Sequence, residues 1–186
     1  VQTWKEKTPK DFKFFPKITN TLSHFRRLIN VDDVVTQYAT SMLNFGDQLG
    51  MVFLQLHDNF KPKDYDRIEK FVKSWPREIP LAIELRSTEW FEEENFEKVS
   101  ALFEENNITN IIVDTAGRRD MLHMRLTTDS AFIRYVGANA ESDYERLDDW
   151  LERIKIWKNQ PTQTNGFSHI LTDYNSDNNN DFFNIL

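Results

Sequence analysis

Short runs rich in Val, Ile and Leu recur along this chain, each followed by a stretch whose apolar residues fall at helical spacing, and few folds accept that alternation. Phe12–Lys17 reads as a strand. Val31–Gln48 reads as a helix, with Val31, Val34, Val35, Tyr38, Met42 and then Leu49 on one face and Asn30 as its cap. Met51–Leu56 is the next strand, and a helix carrying Tyr65, Ile68, Val72 and Trp75 follows it, closed by Pro76. Leu81–Arg86 is a strand, Phe96, Val99, Leu102 and Phe103 mark a helix, and Asn110–Asp114 and Phe132–Gly137 are further strands. The helix Tyr144–Lys158 presents Tyr144, Leu147, Leu151 and Ile154, and a last strand near Ser168–Thr172 leads to a terminal turn or short helix.

Apolar strands separated by single helices predict βαβ units with a parallel sheet, hence the α/β class. No stretch of linker composition interrupts residues 1–186, so a single domain is expected. The alternation supplies about six strands where a closed eight-stranded barrel takes about 250 residues. Residue 1 is Val rather than Met, and a basic segment leads directly into the first strand. The expectation is a TIM-like (β/α) barrel with parallel strands, incomplete at its N-terminus by the first βα unit or two.

Composition narrows the function. With 39% hydrophobic, 13% aromatic and 28% charged residues, the chain can bury a real core. No apolar run approaches the roughly 20 residues that cross a bilayer, and no charged-then-apolar leader opens the chain, so neither membrane nor secretion is expected and a cytoplasmic location is. The absence of cysteine removes disulfides and thiolate-bound zinc. A net charge of −7 argues against a general nucleic-acid binder. Residues 1–30 nevertheless carry a local +5, interleaved with Trp4, Phe12, Phe14 and Phe15.

Strand parity is the sharpest tool for finding chemistry, because alternate side chains leave a strand on opposite faces. In Leu81–Arg86 the residues Leu81, Ile83 and Leu85 share one face, suited to packing on helices, and Ala82, Glu84 and Arg86 share the other. Glu84 and Arg86 stand about 6.6 Å apart along the strand, near the C-terminal end where βα loops build sites. Asp114 ends the strand after it, Arg134 sits within the next, Gln55 and His57 end an earlier one, and Lys17 ends the first. Charge within strands is expensive unless paired or used, and its recurrence at several strand ends points to a shared site. A satisfied internal network, Glu84 with Arg86 or Arg134 and Asp114 with a neighbouring donor, is the competing structural reading. Taken alone, Lys17, Gln55 and His57 also fit caps at loop entrances.

The same residues carry a resemblance. Trp4 with Thr8-Pro9, Phe12-Lys13-Phe14, Lys17, Ser23-His24 and Leu28 resemble the opening motif of the YecE-like family, a domain family of unknown function. Gln55-Leu56 after Leu49-Gly50, Glu84-Leu85-Arg86 with Trp90, Asp114, and Arg134 followed by Gly137 resemble its later motifs in the same order, and Tyr144 and Trp150 its last long helix. The resemblance covers residues 1–158 and implies a TIM-type barrel, but brings no established reaction. Val136 stands where the family generally has histidine, and the segment after the last helix is only loosely echoed by His169–Asn175.

Other signatures are missing: no Walker A loop, GxGxxG, HExxH or nucleophile elbow occurs. Asp173, Asn175 and Asp177 fit the first ligands of a calcium loop, but Asn178 replaces its glycine and Asn184 its bidentate glutamate. An Asx-rich loop explains them better. No cofactor is evident; a divalent metal stays open, since barrel strands could gather His24 and His57 near Glu84 and Asp114. The expected ligand is an anionic or phosphate-containing small molecule, with Lys17, Arg86 and Arg134 as counter-charges, His24 and Gln55 as further contacts, and Glu84 and Asp114 as acid/base pair of a hydrolase. Two carboxylates on neighbouring strands also suit a retaining glycoside hydrolase, for which Trp90 and Tyr135 are the local aromatic platforms. A non-catalytic binding or scaffold barrel is the third reading.

Overall fold

The computed structural model describes residues 1–159, 170–174 and 182–185. The chain divides into two compact units, Val1–Ile108 and Thr109–Leu186. In the first, strands alternate with helices as the periodicity predicts; in the second, a single α-helix among the described residues follows two parallel strands, and the class is α/β in both.

The first unit holds α1 (Gln2–Lys5), α2 (Asp32–Leu43), β1 (Val52–Gln55), α3 (Tyr65–Ser74), β2 (Leu81–Glu84) and α4 (Glu93–Glu105). β1 and β2 run parallel, in a register that sets Val52 beside Leu81 and Gln55 beside Glu84. Leu54, Leu56, Leu81, Ile83 and Leu85 join Ile68, Phe71, Val72, Val99, Leu102 and Phe103 of the helices in one buried core. That core defines the helix-facing side of both strands. Gln55 and Glu84 leave on the opposite side, which is the parity expected from the sequence.

The expected strand Phe12–Lys17 is broken in two. Phe14 bridges to Leu49 and Lys17 to Phe53, both in parallel sense, while Pro16 between them has no N–H to donate and contributes only its carbonyl, to the Phe53 amide. Asn30 does not cap α2: it sits at φ +50°, and the Val31 carbonyl accepts the first helical bond from Val35. The helix stops at Leu43, and Gly46, at φ +55°, opens a 3₁₀ turn over Gly46–Gln48.

The second unit holds β3 (Thr109–Thr115), β4 (Ala131–Val136), α5 (Ser142–Asn159), β5 (Ile170–Tyr174) and β6 (Phe182–Ile185). β3, β4 and β5 are parallel; β6 pairs antiparallel with β5 where a turn or helix is expected from sequence. Ile112, Ala131, Ile133 and Tyr135 pack against Trp150, Ile154 and Trp157 of α5. The face of α5 is therefore rotated from its expected position: Trp150 is inside, while Tyr144 is 73% exposed and Leu151 39%. Two tryptophans at 150 and 157 bury more apolar area than Tyr144 and Leu151 could, and they decide which stripe turns inward.

Candidate functional site

Lys17, His24, Gln55, Glu84 and Arg86 all belong to the first unit, and there they form one connected face at the C-terminal ends of the parallel strands. At its centre is a three-residue chain. The Lys17 ammonium donates to Gln55 Oε1 at 2.8 Å, and Gln55 Nε2 donates to both oxygens of Glu84, at 3.0 and 3.1 Å. An ammonium can only donate and a carboxylate can only accept, so the amide between them has a single workable orientation. Gln55 and Glu84 are buried, with Glu84 1% exposed. The β1–β2 register is what brings them side by side.

Arg86, one strand step beyond Glu84 on the same face, reaches back to Glu84 Oε1 at 3.9 Å while its Nε donates to Asp58 at 2.5 Å. His24 enters from a π-helical turn, Thr21–Phe25, which stands before a run of left-handed residues: Arg27, Leu28 and Asn30 have φ of +47°, +59° and +50°. A β-carbon makes that conformation costly, and strain of this kind collects where a segment must aim a side chain. Here it aims His24, whose Nδ1 lies 2.6 Å from the Ser23 hydroxyl and whose ring meets that of His57 edge-on, with centroids 5.2 Å apart. Burial first, then His57, Lys17 and Arg86, hold the His24 pKa below its ordinary value, with Asp58 acting the other way. These effects favour the neutral ring.

His57 carries a donor that settles its chemistry. The amide N–H of Asn59 donates to His57 Nδ1 at 3.0 Å, so that nitrogen holds a lone pair and the neutral ring has its proton at Nε2. A metal-bound histidine is arranged the other way, giving its second N–H to an acceptor. His57 is therefore not arranged as a metal ligand, and among the described residues no three His, Asp or Glu side chains are grouped to hold a metal ion. Asp58 has no sequence signature that marks it; Ser23 is legible only through the motif it shares with His24, and His57 only as the residue two beyond Gln55, on the same strand parity.

Asp114 and Arg134 belong to the second unit and do not share a face there. Asp114 has the parity of Ile112 and the register of Tyr135, both packed on α5, whereas Arg134 is in register with Val113 and leaves on the other side. Asp114 is 1% exposed. Its Oδ1 accepts from Arg146 at 2.6 Å and lies 3.5 Å from Arg119, and its Oδ2 accepts from the Trp150 indole at 2.8 Å. A carboxylate bonded at both oxygens by side chains four residues apart on α5 fixes that helix on its strand. A cavity of about 340 Å³ opens beside it, lined in part by Arg119, Arg146, Trp150, Met124 and Ile156. Asp114, expected as the acid/base partner of Glu84, and Arg134, expected as a counter-charge, thus leave β3 and β4 on opposite sides.

The aromatic platforms are also withdrawn. Trp90 and Tyr135 are each 1% exposed; the Trp90 indole donates to the Phe60 carbonyl and the Tyr135 hydroxyl to Asp143. Neither ring offers a face for sugar stacking. The calcium-like sequence of residues 173–184 falls largely outside the described residues. No helix among the described residues is long and apolar enough to cross a membrane.

Comparison with known proteins places the chain. Residues 1–181 match the family model described as protein of unknown function DUF72. The UPF0759 protein YecE of Escherichia coli (strain K12) is 27% identical over 182 residues, which cover 87% of this chain and 67% of that protein. The crystal structure of a DUF72 family protein from Thermotoga maritima MSB8 superposes with a TM-score of 0.72 at 21% identity, covering 94% of this chain and 70% of the other. One from Enterococcus faecalis V583 gives 0.71 at 18% identity, with 93% and 74% covered. At such identities the two structures establish a shared fold.

Proposed function

We propose, for a chain that belongs to the DUF72 family of proteins of unknown function, that the strand-end face of its first unit binds an anionic small molecule, with a phosphate group the best-fitting head. The observation that carries this is the Lys17–Gln55–Glu84 chain: a buried carboxylate is used to orient an amide, and the amide holds an ammonium at a partly open surface. Arg86 and the two imidazoles stand around the same spot. The reading takes this spot as the C-terminal mouth of a TIM-like barrel, as the sequence resemblance implies. Lys17 and Arg86 supply the counter-charge, Arg86 in a forked geometry suited to oxyanions.

Catalysis enters this proposal through Glu84. It is the buried carboxylate of the face, and a proton passed to or from a bound ester requires one of its two Gln55 bonds to be exchanged for the substrate. Hydrolysis of a phosphate ester is the reaction this arrangement suits; with Trp90 and Tyr135 buried, no observation favours a glycosidase.

Calorimetric titration with inorganic phosphate and with phosphate monoesters tests the binding, and release of p-nitrophenol from its phosphate tests the chemistry. Lys17→Met and Arg86→Met should each weaken binding about tenfold, the worth of a charge-assisted hydrogen bond. Glu84→Gln should abolish turnover. No phosphate binding, or binding indifferent to both cations, would end the proposal; binding without turnover in the unaltered protein would leave a binding or scaffold role.

A further inference from the structure

We infer that His57 and His24 form the element that selects a tetrahedral oxyanion, with His57 Nε2–H an obligate donor to one of its oxygens. The inference rests on the anion-binding reading above and adds to it the recognising atoms and the protonation state they require. His57 is a half-buried residue at the C-terminal end of β1. The Asn59 amide occupies the Nδ1 edge of its ring, so Nε2 lies on the edge turned away from the 57–60 loop backbone. His24 repeats the arrangement: its Nδ1 is occupied by the Ser23 hydroxyl, which is fully buried and has no other hydrogen bond among the described residues. The Nε2 atoms of both rings have no hydrogen-bond partner among the described residues. Two neighbouring imidazoles are thus each tied at Nδ1 and open at Nε2, on a face that also carries Lys17 and Arg86.

Chemistry restricts what can meet them. A ring tied at Nδ1 by an incoming N–H presents hydrogen, not a lone pair, at Nε2, so His57 repels cations and other donors and welcomes an acceptor. The charged groups that act on His24, beside His57, are Lys17, Arg86 and Asp58. Together these would offer an anion two cationic donors and a neutral one. A phosphate dianion or a phosphate monoester spreads three or more oxygens over a tetrahedron and can meet donors arriving from different directions with one oxygen each, where a carboxylate offers only two coplanar oxygens. Ser23 serves as a positioning residue that acts through His24.

The experiment uses the whole chain with inorganic phosphate as the probe. Long-range ¹⁵N–¹H correlation spectra of the histidines report which nitrogen carries the proton, and titration gives the affinity of the unaltered protein, His57→Leu, His57→Gln and Lys17→Met. Expected are a neutral tautomer of His57 that carries its proton on Nε2, a shift of that nitrogen on adding phosphate, and about tenfold weaker binding in His57→Leu. His57→Gln should recover most of the loss, because its amide restores a donor. Folding of each variant is checked by its urea-unfolding midpoint and by the unchanged Nδ1 signal of His24 in the same unit. Phosphate that binds through Lys17 but ignores His57, or a His57 with its proton on Nδ1, overturns this inference and leaves the anion site standing. Failure of phosphate to bind at all, or uptake of a divalent cation that shifts the His57 Nε2 resonance, overturns both.

Discussion

Gln55 must satisfy an acceptor-only group and a donor-only group at the same time, and this gives a single side chain unusual weight. Gln55→Leu removes both amide donors that Glu84 accepts from on a buried carboxylate. The expected loss is about 1–3 kcal/mol in urea unfolding at pH 7. His123 provides a second test at this scale. Burial pulls its imidazole down to about 4, against a smaller opposing effect of the Ile111 carbonyl. The folded-state pKa is thus below the unfolded value of 6.5, so the unfolded chain binds the proton more tightly. Stability from this group is complete above pH 6.5 and declines as pH falls toward 4, by an amount on the order of 3 kcal/mol. Unfolding midpoints in urea at pH 7 and pH 4.5 measure it, and His123→Phe should flatten the difference.

Among the elements, the parallel segment at residues 14–18 shows how closely two backbones can be brought together. The Gly50 amide donates to the Phe14 carbonyl at 2.8 Å, and a β-carbon at Gly50 would come within 2.6 Å of the Phe15 ring. Gly50→Ala should therefore cost about 1–3 kcal/mol through overpacking, and Phe15→Ala made in the same chain should recover part of it, a coupling that a double-mutant cycle measures directly. On the other unit, α5 is held to β3 by Asp114 through Arg146 and Trp150. Asp114→Ala leaves the half-buried Arg146 without its nearest carboxylate oxygen and should cost about 3–5 kcal/mol in thermal or urea unfolding. A loss below 1 kcal/mol would show that the helix does not depend on this anchor. Strand parity read the first unit well because Leu81, Ile83 and Leu85 are bulky and their alternates Ala82 and Glu84 are not. It failed for Ile111–Asp114, where Ile111, Ile112 and Val113 are apolar on both faces and leave the sense of Asp114 undetermined. The apolar stripe of α5 was ambiguous for a similar reason, since Tyr144, Leu147, Trp150 and Leu151 all lie within one broad arc.

For the molecule as a whole, charge sets the conditions under which an anion is bound. The chain carries −7, while the proposed site presents Lys17 and Arg86 to the ligand. Anion affinity should accordingly fall as salt rises, because screening shortens the reach of exposed Lys17 and half-buried Arg86 from about 10 Å at 0.1 M to about 3 Å at 1 M. A plot of phosphate affinity against ionic strength should be shallower in Lys17→Met; a slope equal to that of the unaltered protein would place Lys17 outside the site. Local periodicity and parity, properties of neighbouring residues, were enough to determine the α/β class, the order of strands and helices, and the common face of Gln55 and Glu84. Contacts between distant segments decided the rest. The break at Pro16, the helix-facing side of Asp114, and the donor state of His57 each depend on which backbone or helix arrives from elsewhere, and no window of sequence contains both partners.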